Sequence, residues 1–140
     1  MLITKQPRHL SSPRDVALIL KEILDAGGDL DRDKEHFWVI NLDSRYHTRS
    51  IHLVHMGELN QVYVHPREVF RPAVQEGAHA VILAHNHTSS DPSPSREDFA
   101  LNRRLVEAGR ILGIEVLDHI VVAGGGEYAK VKDPEEGGGE

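Results

Sequence analysis

The sequence predicts an α/β domain built on a single mixed β-sheet flanked by helices. Three observations carry this. Segments with helical apolar spacing alternate with short strand-like apolar runs along the chain. One of those runs, His79 to His85 (HAVILAH), is almost continuously apolar, as in a strand covered on both faces. The order helix, strands, helix, strand, helix, strand fits a sheet sandwiched by helices, with both parallel and antiparallel neighbours.

The elements follow in order. Residues 1–10 read as an N-terminal arm. Residues 11–27 read as a helix, with Ser11 or Ser12 as cap, Pro13 in the first turn and an apolar stripe of Val16, Ile19, Leu20, Ile23 and Leu24. Gly27 and Gly28 stop it, and a polar connector, DLDRDKE, leads to a buried strand over residues 37–42 (FWVINL). Residues 50–56 alternate, and 61–64 are expected to form a short third strand. Pro66 opens a helix to about residue 77, which Pro72 is expected to kink or split. After the apolar run comes a loop over 88–94. Ser95 to Leu112 is the strongest helix, with Leu101, Leu105, Ala108 and Leu112 on one stripe and Gly113 as its stop. Strands at 114–123 and 127–131 close the domain, and 132–140 (KDPEEGGGE) is expected to be a disordered tail.

Composition narrows the function classes. The 140 residues suit one domain with one core. Sixteen Lys and Arg against 22 Asp and Glu give a net charge of −6, which disfavours non-specific nucleic-acid binding. There is no cysteine, so disulfides, thiolate zinc sites and cysteine nucleophiles are excluded. No signal peptide or membrane-length apolar run is evident, and a cytoplasmic protein is the expectation.

The chemistry concentrates in HNHTSSDPSPSRED, residues 85–98. His85 and His87 leave the same face of a strand end, because strand side chains alternate. Asp98 lies in the first turn of the long helix. Stepping back from Leu105 and Leu101 by helical increments reaches it, so it continues the buried stripe, where an unpaired carboxylate is costly. A cation would remove that cost. Each half alone also has a structural explanation: a hydrogen-bonded rim histidine, and a helix start with Ser95 as N-cap and Asp98 favoured by the helix dipole.

Taken together, H-x-H-x7-S-x-x-D resembles the signature of the JAB1/MPN/Mov34 metalloenzyme (JAMM) fold. AVILAHNH, DPSPSRED, VHPREVF and LDHIVV are similar to the C-terminal domain of the bacterial RadC proteins, over residues 11–131. The resemblance implies a JAB1/MPN domain of cytidine-deaminase-like architecture. It implies that His85, His87 and Asp98 bind Zn2+, that Glu35 is the catalytic base, with Glu58 as fallback, and that Ser95 stabilises an oxyanion. A protein or peptide substrate cleaved at a peptide or isopeptide bond is the implied activity, by a metallopeptidase-type hydrolase. The alternative is a DNA-repair or mobile-element accessory protein whose metal site is structural or vestigial. Asn86 and Thr88 are expected to shape the loop, and Asp118 and His119 to lie inside or behind a ligating imidazole. A homo-oligomer is possible. One departure stands out: the family usually reads HNHPSGDP, whereas this chain carries Thr88 and Ser90 in place of proline and glycine.

Overall fold

The computed structural model describes residues 2–4, 10, 12–27 and 33–132. Its elements are β1 (Leu2–Thr4), α1 (Pro13–Gly27), β2 (His36–Leu42), β3 (Thr48–Met56), α2 (Pro66–Glu76), β4 (Ala80–Asn86), α3 (Arg96–Leu112), β5 (Glu115–Val122) and β6 (Tyr128–Lys130). They form one six-stranded sheet in the order β1-β3-β2-β4-β5-β6. Every neighbouring pair is antiparallel except β4 and β5, which run parallel and are joined through α3. That is the crossover a parallel pair requires. The mixed α/β sheet read from the sequence is therefore the one found.

Alternation along the strands divides the core into two layers. Trp38, Ile40 and Leu42 of β2, with Ile82 and Ala84 of β4 and Ile120 and Val122 of β5, pack under Val16, Ile19 and Leu20 of α1. The intervening residues Phe37, Val39, Val81 and Leu83 face the other way, against Val69 and Phe70 of α2 and Leu101 and Leu105 of α3. The near-continuous apolar run of β4 is thus explained, since both of its faces are covered. This parity places His85 on the α3 side, following Val81 and Leu83.

Three local expectations change. Gln61–Tyr63 form no strand: the Asn60 side chain accepts from the amides of Val62 (2.9 Å) and Tyr63 (3.1 Å) and turns the chain instead. Pro72 does not split α2, which runs unbroken from Pro66 to Glu76 and ends on Gly77 in the left-handed conformation. The arm contributes an edge strand, since Leu2–Thr4 pairs with β3. The expected tail over 132–140 lies outside the described residues apart from Lys132.

At the far end of α3, Gly109 allows a close approach. A Cβ there would stand 2.4 Å from the carbonyl oxygen of Ile114 and 3.3 Å from the Phe70 ring, so only glycine lets the helix pass this close to the start of β5.

Candidate metal centre

The site is assembled where β4 ends and α3 begins. His85 is the penultimate residue of β4, fully buried, and pairs in register with Phe37 of β2 and Val121 of β5. His87 follows two residues later on the same side, at the mouth; its backbone amide donates to the Val122 carbonyl at 2.8 Å. Asp98 arrives from α3. Ser95 is the N-cap, its hydroxyl accepting from the Asp98 amide at 3.1 Å, while its own amide donates to Asp98 Oδ2 at 2.8 Å. This reciprocal capping box fixes both the helix start and the carboxylate. The cap expected at Asp98 is present, and the same carboxylate also faces both imidazoles.

Ligand-type atoms of His85, His87 and Asp98 all lie within 4.8 Å of one another. Asp98 is buried, at 4% relative exposure. Its Oδ2 accepts from His87 Nε2 at 2.9 Å, and its Oδ1 stands 3.2 Å from His85 Nε2. Burial acts to raise the Asp98 carboxyl pKa; the adjoining imidazoles and the Ser95 amide outweigh it and hold the group far below the usual carboxylate range. Asp98 is therefore anionic.

The two imidazoles are held alike from behind. His87 Nδ1 faces the Asp91 carbonyl at 3.1 Å. His85 Nδ1 faces His119 Nε2 at 2.9 Å, and His119 Nδ1 in turn faces Asn102 Oδ1 at 3.1 Å. Both rings consequently turn Nε2 toward Asp98. The bond to Asp98 raises the His87 pKa, against a smaller opposing effect of burial, helped by the Asp91 carbonyl and the Glu35 charge. Burial pushes His119 well below the ordinary imidazole range, so it is neutral.

His85 Nε2 tests whether a metal fits. It is wholly buried, lies beside a carboxylate, and has no hydrogen-bond partner among the described residues. An orphaned buried nitrogen costs about 1–3 kcal/mol. Two imidazole nitrogens and a carboxylate converging on one point suit a divalent cation and would relieve that cost.

The remaining candidates are placed less directly. Glu35 is half-buried and immediately precedes β2, at the sheet end where the histidines emerge. Its carbonyl accepts from the Gly57 amide at 2.8 Å, and its charge is felt at His87, but it stands outside the converging group. Glu58 is exposed; its carbonyl accepts from His55 Nε2 at 3.0 Å, and the residue is not in the converging group found among the described residues. Asp118 is not behind an imidazole: it accepts from the His119 amide at 3.0 Å and pairs with Lys130 at 3.6 Å. Asn86 serves β2 rather than the loop, donating to the Lys34 carbonyl at 3.0 Å and accepting from the His36 amide at 2.6 Å. Asn102 escaped the sequence reading; its only signal was a polar residue on the buried stripe between Leu101 and Leu105. Ser90 needs no glycine, since it does not lie at positive φ, and the loop is tied by the Gly124 amide donating to the Ser89 carbonyl at 2.8 Å.

A mixed sheet between helices thus presents an H-x-H strand end to an aspartate at a helix start, a group able to hold a metal ion. The profile described as "RadC-like JAB domain" matches residues 10–136, and the chain belongs to this family. It is 48% identical over 124 residues to a protein of Moorella thermoacetica named "UPF0758 protein", covering 89% of this chain and 52% of that protein. A protein of the same name from Methanosarcina mazei is 41% identical over 131 residues, covering 94% of this chain and 55% of its own length. The chain thus spans about half the length of the curated relatives it matches. No helix among the described residues is long and apolar enough to cross a membrane.

Proposed function

We propose that His85, His87 and Asp98 hold a zinc ion and that the domain is a metallopeptidase-type hydrolase acting on a peptide or isopeptide bond. The observation that carries this reading is His85 Nε2, buried beside an anionic carboxylate and a second imidazole and without a hydrogen-bond partner among the described residues. Zinc in such a site supplies Lewis acidity, which brings the pKa of water toward neutrality and polarises a carbonyl.

The protein's own groups do the rest. Three protein ligands leave room for a reactant at the mouth, on the side of the less buried His87. Glu35, at the same end of the sheet, takes a proton from water and returns it to the leaving amine. The Ser95 hydroxyl accepts from the Asp98 amide and, with a proton of its own to give, can donate to the oxyanion that forms on the substrate carbonyl. His85, buried behind the mouth, contributes binding and orientation without contact with bulk water.

Elemental analysis of the purified protein followed by cleavage assays on a peptide and isopeptide library tests the proposal. One zinc per chain, with cleavage that is lost in His85→Ala, is the expected result. Protein that takes up no zinc, or cleavage that His85→Ala retains, would count against it.

A further inference from the structure

The three-residue chain behind His85 has a direction. Asn102 presents its amide oxygen, which can only accept, to His119 Nδ1 at 3.1 Å. His119 Nδ1 must therefore carry the proton. A neutral imidazole has one donor and one acceptor, so His119 Nε2 accepts, and the group facing it at 2.9 Å, His85 Nδ1, donates. The proton of neutral His85 is thereby committed to Nδ1, and the lone pair is left on Nε2, the atom turned toward Asp98 Oδ1. With the lone pair on Nε2, nitrogen and carboxylate oxygen face each other 3.2 Å apart, and a cation between them would satisfy both; among the described residues Nε2 has no other partner.

The opposite polarity would require the Asn102 amide to be turned over. With the Asn102 amide reversed, its NH2 would donate to His119, His119 would donate to His85, and His85 Nε2–H would point at Asp98. Such a chain would be satisfied without any cation and would block the site with a proton. Asn102 and His119 are both buried, at 3% and 1% exposure, so solvent is poorly placed to reset the direction. Phe37 adds to the constraint, stacked on the His85 ring (6.1 Å between centroids) and edge-on to His119 (5.7 Å).

We infer that Asn102 and His119 are positioning residues that commit His85 to the tautomer able to bind a metal, so that metal affinity is set partly from α3 and β5, outside the ligand group. This rests on the metal reading proposed above, and the test separates the two. Zinc is titrated into metal-free protein at neutral pH against a chromophoric chelator, with the circular dichroism and melting of each metal-free variant as a folding control.

Asn102→Leu and His119→Leu are each expected to weaken zinc binding about 10–100-fold, the usual effect of losing a group that orients a ligand. Because both act through one chain, the double variant should bind no more weakly than His119→Leu alone. Asn102→Asp, which keeps an acceptor at the same place, should hold affinity near that of the unaltered protein. Additive losses in the double variant, or an Asn102→Asp variant as weak as Asn102→Leu, would overturn the inference. So would Asn102→Leu binding zinc as tightly as the unaltered chain, a result that leaves the metal reading standing. Unaltered protein that binds no zinc would remove the metal reading and this inference with it.

Discussion

Asn86 grips the main chain on both sides of Glu35, accepting from the His36 amide at 2.6 Å and donating to the Lys34 carbonyl at 3.0 Å. Asn86 lies between the two histidines in sequence but points to the opposite face of β4, so alternate residues serve the candidate metal site and anchor the residue proposed as base. Removing this grip should separate binding from turnover. In Asn86→Leu the amide and carbonyl lose their partners, a cost of about 1–3 kcal/mol each if they stay buried. Zinc affinity should stay close to that of the parent while peptide turnover falls. Equal loss of both would show that Asn86 supports the whole strand end, not the Glu35 segment in particular.

Glu35→Gln isolates the base itself. The amide is nearly isosteric but cannot take a proton, so zinc should bind as before while turnover drops by about 10²–10⁴-fold, the usual contribution of general acid–base catalysis. Single-turnover rates in the zinc-loaded protein measure this directly. Full activity in Glu35→Gln would transfer the role to another group, and the exposed Glu58 is the one to substitute next.

Much of this site was legible because its determinants are local. The H-x-H spacing follows from strand alternation, and Asp98 follows from the 98, 101, 105 stripe, which α3 does bury. Features built from distant partners were not legible. Asn86 looked like a loop residue because the groups it bonds are 50 and 52 positions away. Asn102 meets His119 only once α3 has packed across β5. The QVYV stretch has strand-like composition, yet the Asn60 side chain competed for the amides a ladder would have used. β1 is three residues long, too short to leave a periodic signal.

Gly109→Ala tests how tightly α3 is seated. Alanine in a helix interior usually gains up to about 1 kcal/mol over glycine. Here the added carbon would sit 2.4 Å from the Ile114 backbone oxygen, which cannot swing aside as a side chain would. Overpacking of this kind costs about 1–3 kcal/mol, so it should win. The variant is expected to melt below the parent in denaturant titrations. A more stable variant would mean that the α3–β5 junction yields more easily than this close packing implies.

Protons and metal should compete for the site through His87. In the metal-free protein both of its ring nitrogens face acceptors, Nδ1 the Asp91 carbonyl and Nε2 the Asp98 carboxylate. The bond to Asp98, outweighing burial, favours the imidazolium and raises its pKa above the ordinary value. Zinc requires Nε2 without its proton, whereas the Nδ1–H bond to Asp91 can persist. Below the raised pKa, each zinc bound should therefore release about one proton from His87; above it, that release should vanish. Calorimetric titrations in buffers of different ionisation enthalpy count the protons. Folding stability of the metal-free protein has the opposite sense. A raised pKa in the folded state stabilises most below the unfolded imidazole value of about 6.5, and this contribution is lost as pH rises through the folded value. The melting gap between unaltered metal-free protein and His87→Gln should accordingly narrow with rising pH, while zinc affinity climbs over the same interval. A gap that stayed constant, with no proton release at any pH, would remove His87 from the site.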